Sequence, residues 1–170
     1  MEKAIAGKRQ AGRRSWIGAA ILGTLALAAP SPARAGEIGA FLTMPTPTAD
    51  WKTGMGFHVA LISLPFLQAG GEWARMSSEL STASMETYTA QVEVNPPSIR
   101  ISPFAGIGIG AYRQKIGASS DWGSVSSVFG GVRIPIGVAK LRAEYRKLSL
   151  SGTPRLNADK RFSLGVSFRF

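Results

Sequence analysis

The strict alternation of apolar and polar residues at the end of the chain is the feature that most constrains its fold. Alternate positions there carry large apolar side chains, namely Phe162, Leu164, Val166, Phe168 and Phe170. Arginine, serine and glycine fill the positions between them. A β-strand places alternate side chains on opposite faces, whereas a helix would spread them around its circumference. The segment is therefore predicted to be a strand with one apolar and one polar face.

The same period of two recurs in seven earlier segments, which gives eight candidate strands. These segments are 37–43, 54–63, 66–75, 87–95, 99–115, 126–134 and 139–147. Short connections near 64–65, 95–98 and 135–137 alternate with longer polar ones at 44–53, 76–86, 117–123 and 151–159. Successive connections of an up-and-down sheet lie at opposite ends, so the long loops are expected at one end. We predict an all-β fold, an eight-stranded antiparallel up-and-down barrel.

The first 35 residues are predicted to be a cleaved signal peptide. Five Lys and Arg residues precede the apolar run 16–29, and Ala33-Arg34-Ala35 supplies a small-x-small cleavage pattern before Gly36. This run is shorter than the roughly 20 apolar residues that span a bilayer. The pair Arg13-Arg14 leaves a twin-arginine route open beside the general secretory route. The predicted domains are thus the signal peptide 1–35 and the barrel 36–170.

Removing the signal peptide changes what the net charge of +10 implies. Residues 36–170 keep 14 Lys and Arg against nine Asp and Glu, without a basic run of five, so nucleic acid is not expected as a partner. The chain has no cysteine and one histidine, His58. We therefore predict no metal site and no cofactor. No nucleophile motif accompanies His58, so we predict no enzyme activity and no catalytic residue.

The two faces of the candidate strands differ in polarity, which predicts which face meets lipid. One face is almost continuous in Leu, Ile, Val, Phe and Ala, whereas the other combines charges with Gly and Ser. A soluble lipocalin-like barrel, the alternative, would hide the apolar face around a ligand. A lipid-facing band must be apolar and a narrow lumen polar. We therefore predict a charge network in the lumen that consists of Glu72, Glu93, Arg100, Arg133, Lys140, Arg142, Glu144, Arg146 and Arg161.

Two further sets of residues are expected near the long loops. Five basic residues on the apolar face form what we call the basic rim: Arg75, Arg113, Lys115, Lys147 and Lys160. The basic rim would either contact lipopolysaccharide phosphates or extend from the barrel edge into solvent. An interfacial aromatic girdle is predicted from Trp51, Trp73, Tyr112, Trp122 and Tyr145.

Three parts of the chain resemble the small eight-stranded outer-membrane β-barrels of Gram-negative bacteria, the OmpA/OmpX-like and opacity-type group often called porin family proteins. The first part is 103–112 and the third is 162–170. The second consists of two segments, Gly130-Gly131-Val132-Arg133 and Leu141-Arg142-Ala143-Glu144-Tyr145-Arg146. The resemblance implies an integral outer-membrane protein that serves envelope integrity or surface interaction through its loops, with a narrow solute channel as the alternative.

The same resemblance implies partners. Outer-membrane lipid and lipopolysaccharide would surround the barrel, and the outer-membrane assembly machinery would read an aromatic C-terminal signal during biogenesis. That signal corresponds to Val166, Phe168 and Phe170 in this chain. The resemblance leaves the oligomeric state open. Because the interior of an eight-stranded barrel is just wide enough for its own side chains, we predict a lumen plugged by ion pairs, with an ion pathway as the alternative.

Overall fold

The computed structural model describes residues 36–46, 51–64, 66–78, 82–96, 101–152 and 158–170. The predicted signal peptide, residues 1–35, and Arg100 of the predicted lumen network lie outside these residues. The strands are β1 (Glu37–Thr46), β2 (Gly54–Ser63), β3 (Leu67–Ser77), β4 (Ala83–Val94), β5 (Ser102–Ile116), β6 (Ser119–Ile136), β7 (Ala139–Leu150) and β8 (Lys160–Arg169). None of the described residues forms a helix that is long and apolar enough to cross a bilayer.

The eight strands form a closed antiparallel barrel. Each strand pairs with the next along the chain, and β8 pairs with β1 from Glu37↔Arg169 to Thr46↔Lys160. Closure joins the two strands that would otherwise form the edges of the sheet, so their backbone groups find ladder partners. The predicted all-β, eight-stranded up-and-down barrel is confirmed.

The two ends of the barrel differ in their connections. The links β1–β2, β3–β4, β5–β6 and β7–β8 lie at one end, which we call the loop end. The remaining links and both ends of the barrel sequence lie at the other end, which we call the turn end, where Phe170 N–H donates to the Gly36 carbonyl at 3.0 Å. This separation is the one that the alternating connection lengths predict.

Three predicted connection lengths are wrong. The loop predicted over 117–123 is a two-residue turn at Gly117-Ala118, because β5 and β6 stay paired as far as Ile116↔Ser119. Gly117 has a φ of 59°, which glycine adopts without steric cost. The loop predicted over 76–86 shrinks to 78–82, whereas the β4–β5 link, predicted to be short, covers 95–101.

The β5–β6 hairpin extends past its neighbours at the loop end. Residues 119–124 of β6 pair with β5, whereas pairing between β6 and β7 begins only at Val125↔Leu150. This stretch reads Ser-Ser-Asp-Trp-Gly-Ser, a polar composition typical of loops, so it shows no apolar alternation that would mark a strand. Its Trp122 is 61% exposed.

The barrel is apolar outside and charged inside. Leu164 and Phe168 are 48% and 49% exposed, whereas Glu144 is 3% and Arg146 0% exposed. A soluble ligand-binding barrel has the opposite polarity, because water on its outside favours polar side chains there. The lipocalin-like alternative is therefore wrong for this chain.

Candidate functional site in the lumen and at the rim

Nine charged side chains form one continuous series of ion pairs in the lumen, which we call the lumen ion chain. Four carboxylates alternate with five cations, and no neighbouring pair is more than 3.8 Å apart. Every carboxylate therefore has a cation on both sides, as charges removed from water require. In order from the loop end, the members are Arg161, Glu72, Arg146, Glu144, Arg142, Glu93, Arg133, Glu37 and Lys140.

The half of the lumen ion chain nearer the loop end joins β3 to β7 and β8. Arg146 donates from Nη2 to Glu72 Oε2 and from Nε to Glu144 Oε1, both at 2.7 Å. Arg161 Nη2 donates to the second oxygen of Glu72, and its Nη1 donates to Thr87 Oγ1 at 3.3 Å. Glu72 thus holds two arginines that come from different strands.

The half nearer the turn end joins β4 to β6 and β7. Arg142 Nη1 donates to Glu93 Oε2 at 2.9 Å, and Arg142 Nε donates to Glu144 Oε2 at 3.2 Å. Arg133 Nη2 lies 2.6 Å from Glu93 Oε1, and Arg133 Nη1 donates to Asn95 Oδ1 at 2.8 Å. Glu93 therefore bridges two arginines, as Glu72 does above it.

Glu37 is the member that the sequence analysis missed. It accepts hydrogen bonds from Lys140 Nζ at 2.5 Å and from Ser167 Oγ at 2.8 Å, and Arg133 Nε lies 3.8 Å away. The other eight members are those predicted from the sequence; the remaining predicted residue, Arg100, lies outside the described residues. The sequence could have predicted Glu37 as a lumen residue. Ile38 and the residues at every second position after it face outwards, so Glu37 lies on the polar, inward face of β1.

Phenylalanine rings lie against the lumen guanidinium groups, which the prediction of a purely polar lumen missed. The Cζ of Arg142 lies 4.0 Å from the centre of the Phe104 ring, and that of Arg146 lies 4.0 Å from the Phe129 ring. A cation over an aromatic face is attracted to the ring, more strongly where water is excluded. The rings therefore stabilise the buried charges and fill the space between them.

An apolar cluster closes the lumen at the loop end, and four of its seven members lie in the segments 44–53, 76–86 and 151–159 that were predicted to be loops. We call this cluster the apolar plug, and it contains Trp51, Met76, Met85, Tyr112, Val125, Leu148 and Ala158. Tyr112 donates its hydroxyl proton to the Ser151 carbonyl at 2.7 Å. Trp51 and Tyr112 were predicted in the interfacial girdle, in which only Trp73 and Tyr145 were expected to face lipid; both side chains are instead buried in the plug.

One cavity inside the barrel has a volume of about 10 Å³. It lies among Phe41, Glu72, Arg142, Glu144, Ser163 and Gly165. That volume is about what one water molecule requires. The side chains of the lumen ion chain thus leave room for about one water molecule at this point, in keeping with the narrow interior of a barrel of eight strands.

His58 lies in the lumen near the turn end, where its side chain is buried. Its Nε2 is 3.7 Å from Glu37 Oε1, and its ring stacks on Phe41 with 6.3 Å between centroids. Neither ring nitrogen makes a hydrogen bond within the described part of the chain, so His58 has no serine hydroxyl to activate there. Among the same residues, no group of three His, Asp or Glu side chains could hold a metal ion.

On the β3–β5 side, the basic rim has partners within the protein. Arg75 Nε lies 3.9 Å from Glu86 Oε1, and Glu86 stands opposite Arg113 in the next strand. Arg113 lies 5.5 Å from the centre of the Trp122 ring and donates to Ser120 Oγ at 3.0 Å. The two arginines of this side are therefore engaged with residues of the barrel itself.

On the β7–β8 side, the basic rim has a different environment. Lys147 stands directly opposite Lys160 in the strand register, and both side chains follow the outward alternation of their strands. Neither forms an ion pair among the residues that the structure describes. Lys115, the fifth residue of the rim, lies two positions from the turn of the β5–β6 hairpin, opposite Ser120.

Aromatic side chains also lie on the outer face below the basic rim. Trp73 stacks on Phe57 with 5.8 Å between ring centroids, and Tyr145 stands opposite Phe162 on the far side of the barrel. The predicted girdle thus keeps Trp73 and Tyr145 and gains two phenylalanines. Trp122, nearer the loop end, stacks on the exposed Tyr88 with 6.0 Å between ring centroids. Aromatic rings at this position are typical of the boundary between hydrocarbon and headgroups.

The C-terminal residues face outwards at the turn end. Phe168 and Phe170 are exposed, and Val166 is half-buried on the same face of β8. The alternation predicted from the sequence therefore leaves two aromatic side chains accessible from outside the barrel, which is what recognition of a C-terminal signal would require.

Similar solved structures are small transmembrane barrels, whereas no protein-family model and no curated protein sequence matches the chain. Neisserial surface protein A is 13% identical with a TM-score of 0.61, covering 80% of this chain and 95% of its own. The N-terminal β-barrel domain of Pseudomonas aeruginosa OprF is 12% identical with a TM-score of 0.57, covering 81% and 98%.

A third similar structure was designed rather than evolved. It belongs to a set of de novo designed transmembrane β-barrels and is 10% identical with a TM-score of 0.52, covering 83% of this chain and 98% of its own. Identities this low establish a common fold and no common activity. The chain therefore has the fold of the small eight-stranded outer-membrane β-barrels.

Proposed function

We propose that the mature chain, residues 36–170, is a non-enzymatic integral protein of the bacterial outer membrane with a plugged lumen. Its role would be envelope integrity or surface interaction through the loop end. The observation that carries this proposal is the lumen ion chain, whose nine paired side chains join six of the eight strands inside an apolar exterior. Such an interior stabilises a barrel in lipid and leaves little room for a solute.

Two features support a closed rather than a conducting barrel. The lumen ion chain crosses the interior as alternating charges that neutralise one another, so a passing ion would have to break existing pairs. The apolar plug then presents buried Met76 and Met85 at the loop end, where a conducting pore would need polar walls. A narrow channel for small solutes is the alternative that the experiment below distinguishes.

Conductance of the purified mature chain tests the closed lumen. The protein would be refolded into lipid vesicles, checked by the change in gel mobility on heating that folded barrels show, and added to planar bilayers. We expect no steady openings. Regular single-channel steps from a sample that is fully folded by the gel assay would instead establish the channel.

Cell fractionation tests the location independently. We expect the mature chain in the outer-membrane fraction, extractable only with detergent, because the exposed apolar surface of the barrel is incompatible with water. Recovery of the folded chain in the periplasm without detergent would contradict the proposal.

We also propose two partners for this barrel. The basic rim would contact lipopolysaccharide phosphates through charge-assisted hydrogen bonds, chiefly from Lys115, Lys147 and Lys160, because Arg75 and Arg113 are engaged with residues of the barrel itself. Val166, Phe168 and Phe170 would serve as the signal for the outer-membrane assembly machinery, which the outward exposure of Phe168 and Phe170 supports.

A further inference from the structure

One position of the basic rim concentrates positive charge without compensation. Lys147 of β7 and Lys160 of β8 are direct cross-strand partners. Opposite residues of an antiparallel pair have Cβ atoms about 5 Å apart, and like charges placed directly opposite each other are unfavourable. An anion held between the two ammonium groups would offset this repulsion.

The surroundings of this lysine pair suit the headgroup of a lipid. Thr46 lies opposite Lys160 on the side of β1, so a hydroxyl adjoins the two ammonium groups. One step toward the turn end, Tyr145 and Phe162 form the next outward pair. Gly130, opposite Tyr145 on β6, contributes no side chain to the outer face. The charges thus lie at the upper edge of an apolar surface with a shallow gap beside it.

No other part of the basic rim, whose five residues the structure all describes, places two cations directly opposite each other. Arg75 has Glu86 at 3.9 Å, and Arg113 is held by Trp122 and Ser120. A carboxylate next to an arginine lowers the attraction for a second anion, because part of the cation's charge is already neutralised. The five residues predicted together from the sequence are therefore unequal as anion contacts.

Building on the proposed function, we infer that Lys147 and Lys160 form a clamp for a phosphorylated lipid headgroup of the outer leaflet. One phosphate accepts hydrogen bonds from both ammonium groups, since its oxygens can serve two donors at once. The acyl chains of the same lipid lie along Tyr145, Phe162 and the gap at Gly130. The lipid anchors β7 to β8 from outside, at the loop-end edge of this strand pair.

Binding of lipid A to matched variants tests the clamp. The mature barrel in detergent micelles would be titrated with bis-phosphorylated lipid A, and native mass spectrometry would give the dissociation constant. K147Q/K160Q removes the clamp, and R75Q/R113Q removes the same number of charges elsewhere on the rim. We expect about tenfold weaker binding for K147Q/K160Q, from the loss of two charge-assisted contacts, and less than about twofold for R75Q/R113Q.

Two further ligands identify the source of the phosphate. Dephosphorylated lipid A should bind the wild type as weakly as it binds K147Q/K160Q. Inorganic phosphate at millimolar concentration should leave lipid A bound, because the acyl contacts are absent from it. Equal binding by both double variants would overturn the clamp, and displacement by inorganic phosphate would show a free-anion site instead.

The same samples separate failure of the clamp from failure of the proposed function. A wild-type chain that does not insert into lipid vesicles would refute the outer-membrane barrel itself. Correct insertion, a heat-dependent change in gel mobility for all variants and identical lipid A affinities would refute the clamp alone.

Discussion

Replacing Glu72 by glutamine tests whether the lumen ion chain stabilises the barrel. Glu72 is one of its inner members and binds Arg146 and Arg161, whose side chains are 0% and 1% exposed. The substitution keeps the size of the side chain but removes the charge between the two guanidinium groups. Arg146 retains Glu144 at 2.7 Å, whereas Arg161 loses its carboxylate partner and keeps the hydrogen bond to Thr87 and the Phe41 ring, 5.9 Å from its Cζ.

The expected loss follows from leaving Arg161 without its carboxylate. Removing one partner of a buried ion pair costs about 3–5 kcal/mol, because the remaining charge stays out of water without compensation. With a urea dependence of about 2 kcal/mol per molar, the unfolding midpoint falls by about 2 M. The double variant E72Q/R161Q also removes the orphaned charge, so it should lose less stability than E72Q alone.

Urea unfolding of the vesicle-inserted barrel, followed by tryptophan fluorescence and by gel mobility, measures this loss. The matched control is Glu86→Gln, the same substitution at the outer rim, where the partner Arg75 is half exposed. An exposed pair contributes about 1 kcal/mol or less, so E86Q should unfold close to the wild type. If E72Q and E86Q unfolded at the same urea concentration, the lumen ion chain would not be a source of stability.

Two other predictions test the position of the barrel in the membrane and its assembly. In single-tryptophan variants of the mature chain, brominated phospholipids should quench Trp73, aqueous iodide should quench Trp122, and neither should reach Trp51 in the apolar plug; quenching of Trp51 by lipid would contradict the plug. In cells, Phe170→Ala should lower the folded barrel in the outer membrane several-fold, as scored by gel mobility of membrane fractions. Phe162→Ala, outside the proposed C-terminal signal, is the control, and equal losses in both variants would refute that signal.

Much of the fold was predictable because strands in lipid have a simple sequence rule. The lipid-facing side of each strand must be apolar, so the alternation of apolar and polar residues identified both faces of β8 over its whole length. The rule fails where a strand leaves the bilayer. Residues 119–123 of β6 pair with β5 beyond the rest of the barrel, and their polar composition indicated a loop. The apolar plug was not predicted, for a related reason. Met76 and Leu148 follow the inward alternation of their strands, but they lie nearer the loop end than the lumen ion chain does.

The sequence by itself determined which side chains point inwards, because alternation is a local property of each strand. It could not determine which carboxylate meets which cation. Glu72 and Arg161 are 89 positions apart, and they meet because strand register, tilt and closure bring β3 and β8 together across the lumen. The same geometry brings Glu37 next to Lys140 and places Lys147 directly opposite Lys160. Pairing across a barrel depends on how the whole sheet closes, so only the tertiary structure decided it.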